Sequence, residues 1–199
     1  MRWERFFEDL EDQLDSEWEA ERAALDSETE RLRVARLALR ERLTAVLVRA
    51  GGEVAVDLVD GTAWSGRIVA VGADWTAMEL GTRHPGVLLI PLPSVVSVSL
   101  TRDDVLASAR DATPGAALAQ RMTFGFALRD LARRRAPVTV AVTGGRSFVG
   151  TLDRAGADHA DLALHDVDAP RRASSVTGYR VIAFSAVAWV RTEVATPLP

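Results

Sequence analysis

The sequence predicts an α+β protein, in which a long N-terminal helix is followed by two repeated units, each a helix plus a five-stranded small β-barrel. Three observations predict it. Residues 1 to 48 contain neither proline nor glycine and are rich in Glu, Leu, Ala and Arg, the residues that favour helix. Val54–Asp74 and Val138–Asp158 superimpose at a constant offset of 84 without a gap, and self-similarity at fixed spacing marks a repeated structural unit. Within each copy apolar residues alternate with polar or small ones, the period of a half-buried strand, and the runs are punctuated by Asp60-Gly61 and Gly144-Gly145, as tight hairpins require. The expected division is 1–38 as the charged helix with coiled-coil character, 39–101 as the first unit, 102–115 as linker, 116–194 as the second unit and 195–199 as tail.

The N-terminal helix carries half of a coiled-coil seam. Trp18, Leu25, Leu32 and Leu39 recur every seven residues, Phe7, Leu10 and Leu14 extend the face upstream, and Glu21 and Glu28 interrupt the companion positions. Charge is segregated, with twelve acids against three arginines in Met1–Glu30 and five arginines against one acid in Arg31–Arg42. One reading is a solvated helix whose charges suit its dipole. The other is antiparallel self-pairing, or docking on a protein partner, through Trp3, Phe6, Phe7, Leu10, Leu14, Trp18 and Leu25. A membrane surface is not the expected partner, because an acidic polar face is repelled by anionic lipid.

The first unit opens with a helix whose Leu39, Leu43, Val46 and Leu47 share a face. Val54, Val56 and Leu58 then alternate on a strand, and Trp64, Gly66, Ile68 and Ala70 continue on a second. Gly66 and its counterpart Gly150 are read as bends within that strand. Gly72-Ala73-Asp74 and Gly156-Ala157-Asp158 are read as the next turn. So Gly61, Gly66, Gly72, Gly145, Gly150 and Gly156 are the structural glycines. A third strand starts at Trp75, a fourth runs from Gly86 to Ile90, and a short turn at Pro91–Ser94 leads to Val95–Ser99. Five strands this short leave exposed edges unless the sheet closes, hence the expected barrel. In the second unit Leu118, Met122, Leu128 and Leu131 follow helical spacing, and Arg133-Arg134-Arg135-Ala136-Pro137 reads as a helix stop. Ile182–Val190 matches Ile90–Val98 at an offset of 92, so eight extra residues fall between His165 and Tyr179.

A helix, five strands, a D-G turn and a glycine inside the second strand resemble the Sm-like family, whose pattern is carried by Val54–Val71 and again by Val138–Ala155. SH3-like barrels share several of these features, and the likeness covers about 110 of the 199 residues. The resemblance implies a small barrel that associates through strand edges, so that the first barrel pairs with the second or with another chain. The aspartate and asparagine that hold a base in that family correspond here to Gly72 and Thr76, and to Gly156 and Ala160, so the usual RNA pocket is not expected. The whole chain is also similar to uncharacterised proteins of GC-rich Gram-positive bacteria.

Composition narrows the function. The chain has no cysteine, which excludes disulfides, thiolate nucleophiles and sulfur-based zinc sites. It has no lysine, so all 24 basic residues are arginine and a phosphate-binding loop ending in Lys-Ser/Thr is excluded. An arginine-only, Ala- and Val-rich chain reads as the mark of a GC-rich bacterial genome, with selection for phosphate contacts as the alternative. The net charge of −4 argues mildly against a protein that coats nucleic acid. No apolar run approaches the roughly 20 residues of a membrane helix, and the charged N-terminus is unlike a signal peptide, so a cytoplasmic chain is expected. His84, His159 and His165 lie in turns or in the inserted segment. His159 and His165 with Asp158, Asp161 and Asp166 lack the spacing of a ligand set and read as polar loop. No cofactor, small-molecule substrate or catalytic group is expected. The function expected is that of a non-catalytic interaction or scaffold protein. The alternative is a nucleic-acid-binding regulator using Arg129, Arg133, Arg134, Arg135, Arg154, Arg171 and Arg172.

Overall fold

The computed structural model describes residues 2–49, 53–81, 85–110, 119–166 and 175–193, with side chains in the N-terminal helix described for Trp18, Glu19 and from Glu21 onward. The chain forms two bodies, Met1–Ala38 and Leu39–Pro199. The first contains α1 (Arg2–Arg36), which closes with Arg33 and Arg36 in its last turn, where cations complement the helix dipole. Arg33 lies 2.7 Å from Glu30, one turn away.

The second body contains α2 (Leu39–Val48), β1 (Val54–Leu58), β2 (Ala63–Val71), β3 (Trp75–Leu80), β4 (Gly86–Pro91) and β5 (Val95–Ser99). These are followed by α3 (Arg102–Ser108), α4 (Phe124–Arg134), β6 (Pro137–Val142), β7 (Ser147–Ala155), β8 (His159–Leu164), β9 (Gly178–Ala183) and β10 (Val187–Thr192). A single turn of 3-10 helix precedes β5 and another precedes β10.

All ten strands belong to one antiparallel sheet in the order β5-β1-β2-β3-β4-β10-β6-β7-β8-β9. This overturns the expected fold class of two repeated five-stranded barrel units. The strands are as short as the sequence implies, but the edge that was expected to be hidden by closure is covered by another strand. β4 pairs with β10 through Val190↔Leu89, Arg191↔Leu88 and Thr192↔Val87, which satisfies the backbone groups of both. The two repeats are thus fused along a seam, and each core draws on both. Trp75, Ala77 and Leu89 pack with Leu128, Leu131 and Val138 in one cluster, and Ala141, Ala188 and Trp189 pack with Val56, Ile68 and Leu88 in the other.

Inside this sheet the repeat persists bond by bond. Leu58 N–H donates to Thr62 O and Val142 N–H to Arg146 O, each at 2.9 Å. Gly61 and Gly145 have φ of 82° and 74°, the left-handed region that the hairpin turn demands and glycine occupies without cost. Gly66 and Gly150 serve close approach: a Cβ there would stand 2.3 Å from Glu79 O and 1.9 Å from Ala163 O respectively. The register shifts that bend the strand fall beyond them, between Ile68 and Ala70 and between Leu152 and Arg154. Gly72 and Gly156 sit at the β2–β3 and β7–β8 turns, each donating across it at 2.8 Å.

Two local details depart from the sequence reading, and the place of the inserted residues agrees with it. The stretch read as linker contains α3, capped by Thr101, whose Oγ1 accepts from Asp104 N–H, and tied to α2 by Arg42, which donates to Val105 O at 2.9 Å. Met122 lies ahead of α4 and not on it, because Thr123 caps the helix by accepting from Phe126 N–H; Leu118 is outside the described residues. The extra residues of the second repeat lie between β8 and β9.

Candidate assembly surfaces

The seam shows what one repeat offers another. Its backbone pairing is reinforced by side chains from both sides. Trp189 packs edge-on against Trp64, with ring centroids 5.1 Å apart, and its Nε1–H donates to Asp60 Oδ2 at 2.8 Å. Ser94 Oγ donates to Val187 O at 2.7 Å. At the far end of the joint, Asp74 Oδ1 accepts from Phe124 N–H at 2.6 Å, supplying one of the acceptors that a helix N-terminus needs. Trp75 Nε1–H donates to Met122 O at 2.9 Å. The turn of the first repeat therefore completes the helix of the second.

The sheet ends in two strands of the same kinds that meet at the seam. β5 is the counterpart of β10, and β9 is the counterpart of β4, each at the offset of 92. In the seam, Leu88, Leu89 and Ala188 are fully buried. Among the outer counterparts, Val181 (for Leu89) is 72% exposed and Val96 (for Ala188) is 64% exposed. Tyr179, in the place of Val87, is 65% exposed. Apolar side chains on an unpaired strand edge form a ready pairing surface.

Among the described residues, the arginines singled out from the sequence are engaged separately. Arg133 and Arg134 both engage the buried carboxylate of Asp130, the latter at 2.7 Å. Arg129 Nη1 donates to Gly156 O at 3.1 Å. Arg135 is the left-handed C-cap of α4, at φ 52°, and Arg154 is exposed on β7. Arg171 and Arg172 lie outside the described residues, as does His84. A different pair is brought together instead: Arg146 and Arg180 lie over the ring of Phe148, at 5.3 and 5.5 Å.

The remaining histidines are engaged locally. His165 is buried; its Nδ1 lies 2.9 Å from Asp166 O, and its Nε2 lies 2.7 Å from Thr151 Oγ1. The carbonyl can only accept, so Nδ1 carries a proton. His159 Nδ1 is 2.9 Å from Asp158 Oδ1, and this hydrogen bond holds the Asp158 carboxyl below its usual range. Among the described residues no group of His, Asp and Glu could hold a metal ion, and no helix is long and apolar enough to cross a membrane.

Of the docking residues proposed on α1, Trp18 and Leu25 are exposed, at 61% and 62%. Trp3, Phe6, Phe7, Leu10 and Leu14 lie on the helix, and their side chains are outside those described. Asp60, Trp64 and Trp189 were missed as joint residues. The signal available for them was the set of places where the repeat fails to match: Asp60 against Gly144, Trp64 against Phe148, and Ser97 against Trp189. Compared with known proteins, the chain matches no family model, no curated protein and no solved structure.

Proposed function

We propose that the protein is a non-catalytic scaffold that assembles by strand pairing between copies, the β9 edge of one taking the β5 edge of the next. The observation that carries this reading is the seam: a β4-type edge and a β10-type edge bind each other inside the chain, and the two outer edges are their counterparts with apolar side chains still exposed. The contact is head-to-tail, so it closes into a ring or extends as a filament. α1 adds a second contact. Its exposed Trp18, Leu25 and Leu32 and its acidic-to-basic polarity suit antiparallel pairing with another copy.

The test uses the absence of cysteine. Transferring the seam's register to the outer edges sets Val98 opposite Val181 and Leu100 opposite Tyr179. Directly opposed residues have Cα atoms about 4.5–5.5 Å apart, within disulfide reach. The double variant Val98→Cys/Val181→Cys is expected to form covalent oligomers under mild oxidation, and Val98→Cys/Ala183→Cys, displaced by two residues, is not. Sedimentation velocity of the unmodified chain should show concentration-dependent association. A chain that stays monomeric at all concentrations, with neither cysteine pair cross-linking, would overturn the reading.

A further inference from the structure

The seam and the outer edges differ at a group of positions that touch one another. In the seam, Trp189 is lodged against Trp64 and held by Asp60. Ala141, its register partner on β6, is buried in the same cluster. On the β9 side of the outer edges, Phe148 stands in the place of Trp64 and Gly144 in the place of Asp60. On the β5 side, Ser97 stands in the place of Trp189 and Asp57 in the place of Ala141. So both halves of the aromatic lock have changed. The indole is gone from one side, and the carboxylate that received its N–H is gone from the other.

What replaces them is charge, of opposite sign on the two edges. The β9 edge brings Arg180, in the position of the fully buried Leu88, over Phe148, and the β6–β7 hairpin brings Arg146 over the same ring. No ion pair to either guanidinium is found among the described residues. The β5 edge carries Asp57, exposed on β1 and hydrogen-bonded by Ser97 Oγ. Laying the geometry of the seam on the outer edges sets the Ser97–Asp57 pair where Trp189 and Ala141 sit, against Phe148 and its two guanidiniums. An arginine stacked on an aromatic face keeps its edge donors free, so it can hold the ring and a carboxylate together.

Resting on the edge pairing proposed above, we infer that the joint between copies is closed by ion pairs: Asp57 of one copy enters between Arg146 and Arg180 of the next. The chain then has two joints of one geometry and different chemistry. The internal seam is aromatic and permanent. The joint between copies is ionic, weakened by salt and reversible, because partly exposed charges are screened within a few ångströms at high ionic strength.

The experiment measures association by sedimentation for the full chain, for two charge variants, Asp57→Arg and Arg146→Glu/Arg180→Glu, and for an equimolar mixture of the two. All the altered side chains lie at the surface, and far-UV circular dichroism verifies that each variant is folded. The association constant of the unmodified chain is expected to fall at least about tenfold between about 50 and about 500 mM NaCl. Each variant alone should associate on the order of a hundredfold more weakly, because like charges face each other. The mixture should recover, since each joint in it again opposes unlike charges. If the unmodified chain associates and the Val98/Val181 cysteines cross-link, but neither salt nor Asp57→Arg weakens assembly, the ionic lock is wrong and the edge pairing stands. If the chain does not associate at all, both fall.

Discussion

The seam makes Trp189→Ala a decisive perturbation of the fold. Trp189 is 7% exposed, and truncating a buried Trp or Phe to alanine costs about 3–5 kcal/mol through lost transfer energy and the cavity left behind. Its edge-on contact with Trp64, at 5.1 Å, is of the type that adds about 0.5–1.5 kcal/mol beyond area. The lost bond to Asp60 adds little, because that side chain still accepts from Thr62 N–H and Thr62 Oγ1 at 3.1 and 2.7 Å and is not orphaned. A loss of about 4 kcal/mol is therefore expected. The assay is urea unfolding followed both by circular dichroism and by tryptophan fluorescence. With a slope of about 2 kcal/mol per molar urea, the midpoint should fall by about 2 M. Because Trp189 belongs to a core cluster built from both repeats, the two probes should shift together as one transition. Tyr179→Ala, on the open β9 edge, should stay within about 0.5 kcal/mol of the parent. A shift below about 0.5 M, or two resolved transitions of which only one moves, would refute the argument that the seam unites the repeats.

Three further outcomes follow from local geometry. Gly150→Ala places a Cβ 1.9 Å from Ala163 O; the β7–β8 backbone must separate, and the thermal midpoint should fall by more than that of any exposed strand substitution, with a loss above about 2 kcal/mol. Arg135→Gly relieves a non-glycine residue at φ 52° and should stabilise by about 1 kcal/mol, seen as a raised urea midpoint. Thr151→Val removes the hydroxyl 2.7 Å from buried His165 Nε2, and leaving that nitrogen without this partner should cost about 1–3 kcal/mol in the same measurement.

The strands were legible because their signals are local. The alternation at Val54–Leu58 and the Gly61 and Gly145 turns depend on nearest neighbours, and the offset of 84 repeats them without a gap. The sheet order was not legible. Nothing in the composition of β4 says whether its edge closes on its own repeat or takes β10, since Val87, Leu88 and Leu89 suit either partner. α3 was hidden for another reason: Arg102–Ser108 is short and polar, and its contact with Arg42 reaches back 63 residues. Met122 has helical spacing with Leu128 yet lies off the helix, because the Thr123 cap outweighs the apolar period. For the assembly surfaces, the aromatic residues were visible and their pairing was not. Arg133 and Arg134 read as a basic patch in sequence, yet Asp130, one turn earlier, engages both.

The bond from Trp189 to Asp60 joins residues 129 positions apart, and it bears on how such a chain can change over generations. Two freshly copied repeats would be interchangeable, and either could be lost. Once one copy keeps the indole and the other keeps its acceptor, neither is self-sufficient: deleting one strips the joint side of the survivor. Tolerated changes at position 60 would then depend on the residue at 189 more than on neighbours within the same repeat. A double-substitution scan should find its strongest non-additive pairs between the copies, with Asp60 and Trp189 among them. The specialisation that ties the repeats together is also what prevents the chain from shrinking back to one.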